Sequence, residues 1–243
     1  MDRMIYLSMS GAKATMQRQD TLANNLANAS TTGFRAELQA LRAVPVQGSG
    51  ASTRVFTLET TTGHDDTPGV LQHTGRNLDV AMRGQAWLAV QGLDGTEAYT
   101  RAGSLQVAAD GTLQTTGGLV VLGDGGPIQL PAGARVQIGE DGTINAAVGN
   151  GPPAPQGRLK LVTPEAKLAR GEDGLFRDAG GEPLPADPAA RLQDGALEGS
   201  NVNPVETMVA MISAARQFEA QMKMLQTAQN NENAATKLLS SQP

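Results

Sequence analysis

Cysteine is absent from this 243-residue chain, which excludes disulfides, thiolate metal sites, iron–sulfur ligation and cysteine nucleophiles. Histidine is almost absent, with only His64 and His73. Aromatic residues are scarce as well: four Phe, two Tyr and one Trp leave little material for a dense core. No basic run occurs, and 24 acidic against 19 basic side chains give a net charge of −5, so no nucleic-acid partner is expected. Long apolar runs are missing too. Leu119-Val120-Val121-Leu122 falls far short of the roughly 20 residues of a membrane span, so no direct membrane insertion is expected. At the amino end, Met4-Ile5-Tyr6-Leu7 follows Asp2 and precedes Ser8, Ser10 and Gly11, well below the roughly 7–15 apolar residues of a cleavable signal. These exclusions leave a soluble, loosely cored chain of one or two domains.

The two ends carry helical periodicity. Residues 3–29 lack proline and contain one glycine, and Ile5, Met9, Ala12, Met16, Gln19, Ala23 and Leu26 recur as a heptad seam. At the carboxyl end, Asn203 reads as an N-cap and Pro204 as the first helical turn. Met208, Met211, Ala215, Phe218, Met222 and Leu225 carry the second seam. Gln229 and Glu232 interrupt it before Thr236 and Leu239. At 1.5 Å per residue these are rods of roughly 40 and 50 Å.

The middle reads as antiparallel β. Short runs such as Trp87–Val90, Ser104–Val107, Leu119–Leu122 and Arg135–Ile138 are punctuated by Asp94-Gly95, Asp110-Gly111, Gly117-Gly118, Asp141-Gly142 and Asp173-Gly174. These dipeptides supply the positive φ angles of tight hairpins. The proline-rich stretch 149–157 reads as a loop or excursion, and 44–70, rich in Gly, Ser and Thr, as extended and poorly packed. The expected fold class is α+β: long amino- and carboxyl-terminal helices pair in a coiled-coil-like manner, with a central all-β, hairpin-rich domain between them. The expected boundaries are 1–35 helix, 36–75 linker, 76–190 β domain, 191–203 return linker and 204–243 helix.

Seams built from Ala and Met bury little area. At about 25 cal/mol per Å2 they do not offset roughly 1–2 kcal/mol of backbone ordering per residue. The helices therefore need partners, and Leu22, Val209 and Ile212 remain as apolar side positions after pairing. The first helix closes in Leu22-Ala23-Asn24-Asn25-Leu26-Ala27-Asn28-Ala29-Ser30-Thr31-Thr32-Gly33-Phe34-Arg35. Asn24, Asn25 and Asn28 can bond exposed carbonyls or neighbouring chains, Gly33 can turn left-handed after the helix, and Phe34 can anchor. The carboxyl counterpart runs Leu197-Glu198-Gly199-Ser200-Asn201-Val202-Asn203-Pro204, then Met208 to Ile212 and Arg216-Gln217-Phe218-Glu219.

These stretches resemble the rod and hook family of bacterial flagellar axial proteins, with its Asn-Asn-x-Ala-Asn-x-x-Thr-x-Gly-Phe block and its Ser-Asn-Val block followed by Arg-x-Phe-Glu. A third matching block holds Leu78-Asp79-Val80-Ala81, Trp87-Leu88-Ala89-Val90 and Tyr99-Thr100-Arg101-Ala102-Gly103, with Ala102 standing where the family usually has Asp or Asn. The blocks span about 1–45, 76–125 and 195–240. The opening Met1-Asp2-Arg3-Met4-Ile5-Tyr6 and the Arg42–Val46 stretch resemble the proximal-rod branch, with the distal-rod branch as the rival. The resemblance implies that the helix pair is the inner domain and the β domain the outer one. It implies a non-enzymatic subunit of a helical tube, the periplasm-crossing drive shaft that transmits torque and encloses the export channel. It implies no cofactor. Its partners would be copies of itself and other rod proteins, and it would be exported through the flagellar type III apparatus without a cleavable signal. The assembly motifs it implies are Asn24, Asn25, Leu26, Asn28, Gly33, Phe34, Arg35, Ser200, Asn201, Val202, Met208, Ile212, Arg216, Phe218, Glu219, Met222 and Leu225. Leu26→Asp or Phe218→Asp would then block assembly while the β domain stays folded.

Two other classes compete. His64-Asp65-Asp66 can be drawn as a hydrolytic or metal-binding cluster, because imidazole and carboxylates are usual ligands, although a solvated turn is the commoner fate of such a triplet. No nucleophile elbow, Walker loop or paired-histidine motif accompanies it, and Gly123-Asp124-Gly125-Gly126 has no following helix pattern. An adhesin-like surface β protein would share the Asp-Gly hairpins but not the paired terminal helices.

Overall fold

A computed structural model describes residues 2–45, 55–149 and 151–240. Met1, positions 46–54 of the expected linker, Asn150 of the excursion and 241–243 of the last helix lie outside the described residues, as does the side chain of Leu239. The chain divides into two compact units.

The first unit contains α1 (Asp2–Ala27), β1 (Glu37–Pro45), β2 (Val55–His64) and α2 (Pro204–Ser240). The helices pack along each other, and the hairpin lies against α1. Asn203 caps α2: its Oδ1 accepts the N–H groups of Val205 (3.1 Å) and Glu206 (3.3 Å), two of the donors a helix start leaves unpaired. Residues 36–75, read from sequence as a linker, contain instead two long strands paired antiparallel, with a bulge between Gln39 and Ala40. Threonine, common in this segment, is β-branched and suits a strand as readily as a loop.

The helix seams are half as expected. In α1, Ile5, Ala12, Gln19 and Leu26 are covered, but Met9, Met16 and Ala23 face solvent, and Ser8, Thr15 and Leu22 take their places. In α2, Met211, Ala215, Phe218, Leu225 and Glu232 are covered, while Met208, Met222, Gln229 and Thr236 are exposed; Thr207, Ala214, Gln221, Ala228 and Ala235 fill the second row. The same one-residue shift in both helices has a packing cause. Small side chains let two isolated helices approach closely, and a Cβ added at Gly11 would stand only 3.1 Å from the Gln221 side chain. The buried hydroxyls cost little, because Thr15 donates to the Gly11 carbonyl and Thr207 to the Asn203 carbonyl, each at 2.8 Å.

The second unit holds Ser30–Arg35 and sixteen short strands: β3 (Leu71–His73), β4 (Val80–Met82), β5 (Trp87–Gln91), β6 (Glu97–Thr100), β7 (Leu105–Val107), β8 (Leu113–Thr115), β9 (Val120–Gly123), β10 (Gly126–Pro127), β11 (Arg135–Ile138), β12 (Thr143–Ala147), β13 (Ala154–Arg158), β14 (Leu161–Val162), β15 (Ala169–Arg170), β16 (Phe176–Arg177), β17 (Leu192–Asp194) and β18 (Ala196–Glu198). All pairings among the described residues are antiparallel. The main sheet runs β15-β16-β6-β5-β9-β8-β7, with β10 on β9 and β14 on β5, and β11-β12-β13 form a second sheet. The last two strands return to the first two, β17 onto β4 and β18 onto β3. The unit is thus sewn shut where its chain begins and ends. Strand β5 is buried on both faces: Leu88 and Val90 join one cluster with Leu105, Leu113 and Leu161, while Trp87 and Ala89 join Tyr99 and Phe176 on the other. That explains its unbroken apolar run. The excursion at 149–157 ends in edge strand β13, where Pro155 need not donate to a ladder, and Gly123–Gly126 is the β9–β10 turn.

Four hairpins share one turn. In residues 92–96, the Gly92 N–H donates to the Thr96 carbonyl (2.8 Å) and the Gly95 N–H to the Gly92 carbonyl (3.0 Å). Residues 108–112, 139–143 and 171–175 repeat both bonds, and the fourth residue of each turn is a glycine with φ between 77° and 87°. Asp94, Asp110, Asp141 and Asp173 each accept the N–H two residues on, at 3.0–3.1 Å. Hydrogen bonds to their carboxylates, from Thr96, Thr112, Thr143 and Arg177 in turn, hold all four below the usual carboxylate range. A depressed folded-state pKa contributes stability above the unfolded value, near 3.9, that is lost as pH falls through the folded value. The quadruple Asp→Asn variant is therefore expected to lose melting temperature less steeply than the wild type between about pH 4 and pH 2, as followed by circular dichroism.

Candidate functional site

Strand β18 alternates as a half-buried strand should: Ala196 in, Leu197 partly out, Glu198 in. The inward place that an apolar residue would normally take is held by a carboxylate only 1% exposed. Opposite it are two guanidiniums, each 2% exposed. Arg35 Nη2 lies 2.7 Å from Glu198 Oε1, and Arg101 meets Oε2 through Nη2 at 2.6 Å and Nε at 2.7 Å. Paired, hydrogen-bonded burial is the only inexpensive way to take such charges out of water.

The remaining donors tie in backbone. Arg101 donates to the carbonyls of Gly84 (2.9 Å), Ala86 (2.8 Å) and Met82 (2.8 Å), which uses its whole planar fork. Arg35 Nη1 donates to the Thr67 carbonyl, which also accepts from Asn201 Nδ2 at 3.0 Å. The Gly69 N–H donates to Glu198 Oε1 (3.0 Å), and the Gly33 N–H to the Glu198 carbonyl (2.8 Å). Backbone also crowds close here. Gly33 has φ 71°, and a Cβ on it would fall 2.2 Å from the Arg101 carbonyl carbon; a Cβ on Gly69 would fall 2.0 Å from the Gly199 oxygen. One carboxylate thus fastens the incoming chain at 33–35 and 67–69, the middle of the unit at 101 and the outgoing chain at 198–201. Beside it the Arg170 guanidinium stands 4.5 Å over the Phe34 ring. Burial, more than any neighbouring charge, pulls the Arg35 guanidinium below its ordinary pKa, with Glu198 opposing.

The motif residues divide between the units. Gly33, Phe34 and Arg35 are buried in the second unit, with Ser200 and Asn201 half-buried there. In the first unit, Asn25 is buried and clasps the start of β1: Nδ2 donates to the Glu37 carbonyl (3.0 Å) and Oδ1 accepts the Glu37 N–H (2.8 Å). Asn28 donates to the Asn24 carbonyl at 2.9 Å, and Val202 is buried. Leu26, Phe218 and Leu225 are half-buried, and Asn24, Met208, Ile212, Arg216, Glu219 and Met222 are exposed. Two partners in the ionic cluster, Arg101 and Glu198, were quoted in the sequence blocks but not singled out. The available signal was a lone charge at a position where strand alternation calls for an inward apolar residue.

Exposed apolar residues concentrate on the helices. Val205, Met208, Val209 and Ile212 follow i, i+3, i+4, i+7 spacing on α2 and are 50–71% exposed. Tyr6, Met9 and Met16 are similarly bare on α1. His64 is buried in β2 opposite Glu37, and among the described residues no group of three His, Asp or Glu is placed to hold a metal ion.

Known proteins match the chain throughout. The family model for flagella basal body rod proteins matches residues 5–35, that of the flagellar hook protein FlgE/F/G D1 domain 81–146, and that of the flagellar basal body rod FlgEFG protein carboxyl-terminal region 193–238. Arg35, Arg101 and Glu198 each fall in a different one of these three spans. The flagellar basal-body rod protein FlgF of Salmonella typhimurium is 50% identical over 250 residues, covering 99% of each chain. FlgF of Escherichia coli is 48% identical at the same coverage. FlgG of Agrobacterium fabrum is 32% identical over 265 residues, covering 98% of this chain and 99% of its own. The family is structural, which removes the hydrolytic reading of His64, Asp65 and Asp66. With near-complete coverage and about half its residues identical to two FlgF proteins, the chain belongs to the FlgF group of the flagellar basal-body rod family and is not an enzyme.

Proposed function

We propose that this chain is a structural subunit of the proximal rod, assembling head-to-tail with copies of itself and with other rod proteins into the periplasm-crossing shaft that transmits torque and encloses the export channel. The observation that carries this reading is the pair of exposed apolar stripes on α1 and α2. A helix pair closed on Ser8, Ala12, Thr15, Thr207 and Ala214 leaves its larger side chains outside, and a heterologous interface that does not close on itself generates a helical polymer. Delivery through the flagellar type III apparatus belongs to the same reading. The name shared by the two most similar relatives reported above favours the proximal over the distal rod.

Ile212 is the better test position than Phe218, because Phe218 already packs in the intramolecular seam. Ile212→Asp is expected to leave the melting temperature of the isolated chain unchanged and to abolish its incorporation into basal bodies, as scored by electron microscopy and swarming. Normal incorporation would defeat the proposed interface. The helices are also expected to be marginal on their own, since their mutual contact is built from small residues. Hydrogen exchange at low concentration should show α1 and α2 exchanging well before β5, β6 and β9. Equal protection of helices and sheet would contradict ordering by neighbours.

A further inference from the structure

Beside the ionic cluster, within the second unit, lies a cavity of about 290 Å3 lined by Arg35, Arg170, Thr100, Thr115, Thr116 and the Phe34 ring, among others, and by no Asp or Glu among the described residues. Two guanidinium donors on the lining residues have no partner among the described residues: Arg35 Nε, on a residue 2% exposed, and Arg170 Nη1. Glu198 already serves Arg35 and the Gly69 N–H with Oε1 and Arg101 with Oε2. Glu198 is the carboxylate bonded to both Arg35 and Arg101, Asp66 adds a smaller coulombic pull on Arg35, and Arg170 shows no ion pair among the described residues. Buried guanidinium N–H groups of this kind are normally matched by a planar acceptor.

We propose that this cavity receives a carboxylate side chain presented by a neighbouring subunit. The proposal rests on the rod reading for its source and on the unpaired donors for its chemistry. Charge complementarity favours another copy as that source. Asp124 is exposed at the β9–β10 tip, an acid opposite in charge to the arginines that line the cavity. An acidic hairpin tip of another copy therefore has the right sign, and the hydroxyls of Thr100, Thr115 and Thr116 supply neutral donors beside the arginines. An entering carboxylate would supply the acceptor that these N–H groups lack.

The probe is acetate, titrated at fixed ionic strength into the isotope-labelled full-length chain. The Arg35 Nε–Hε resonance should shift saturably at millimolar acetate, acetamide should leave it in place, and Arg170→Glu should weaken the response at least tenfold. Arg170→Lys, which keeps a cation over the Phe34 ring, should retain most of it. Arg170→Glu should also keep the wild-type melting temperature and reduce swarming several-fold. A flat or non-saturating acetate response overturns the site. A saturating response together with wild-type swarming of Arg170→Glu assigns the site to a small free carboxylate and overturns the subunit as its source. The acetate arm needs no assembled rod, so exclusion of the wild-type chain from basal bodies would sink the proposed function and leave the donor chemistry to be decided by acetate alone.

Discussion

Glu198→Gln is expected to destabilise the second unit by about 3–5 kcal/mol, the range for breaking a buried ion pair from one side. The change preserves shape and removes only charge, so the loss arises from taking away the carboxylate with which both buried guanidiniums are paired. Gln also carries an NH2 group, and one of the two guanidiniums must then face a donor instead of an acceptor. The urea midpoint of sheet unfolding, followed by Trp87 fluorescence, reads the effect. Glu165→Gln, an exposed control, should stay within about 0.5 kcal/mol of the wild type. Full apolar replacement of Arg35, Arg101 and Glu198 is not expected to recover the wild-type value. Arg101 also satisfies the carbonyls of Met82, Gly84 and Ala86, and those acceptors would be orphaned. A Glu198→Gln variant as stable as the control would show that the cluster contributes little to holding the unit together.

Gly33→Ala is expected to cost about 3 kcal/mol or more, from two sources that a control can separate. The left-handed backbone at φ 71° contributes about 1–2 kcal/mol for any residue with a Cβ. The rest comes from the 2.2 Å approach of that Cβ to the Arg101 carbonyl carbon, which only backbone movement can relieve. Gly118, in the β8–β9 turn, has φ 84° and open space where its Cβ would go. Gly118→Ala should therefore show the conformational cost alone. Because the Gly33 N–H bonds the Glu198 carbonyl, relief of the clash would pull the incoming chain away from the outgoing one. Equal losses in the two variants would mean that the close approach at Gly33 is readily relaxed.

Both variants act at a place the sequence marked only indirectly. Arg35, Arg101 and Glu198 are 66 and 97 residues apart along the chain, and no local periodicity connects them. What local chemistry could reveal, it did reveal. Asp-Gly dipeptides marked the hairpins because the turn needs a positive φ next to a side-chain acceptor, and Asn203-Pro204 marked a helix start because the first turn leaves free N–H groups. The middle segment was harder. Threonines at 57 and 60–62 suit a loop as well as a strand, and pairing with β1 decided between them.

Read alone, the sequence determined the units of structure whose causes are local: two terminal helices, a β middle and its tight turns. It also carried the family, because three separated blocks each kept their own pattern. Tertiary structure decided which helix row faces inward. Apolarity ranks Met9, Met16, Met208 and Met222 above Ser8, Thr15, Thr207 and Gln221, yet close approach of two helices favours the second set and turns most of the methionines outward. It also decided that a single carboxylate binds arginines from two distant blocks, since a charge is stable inside a protein only where the fold delivers its counter-charges to it.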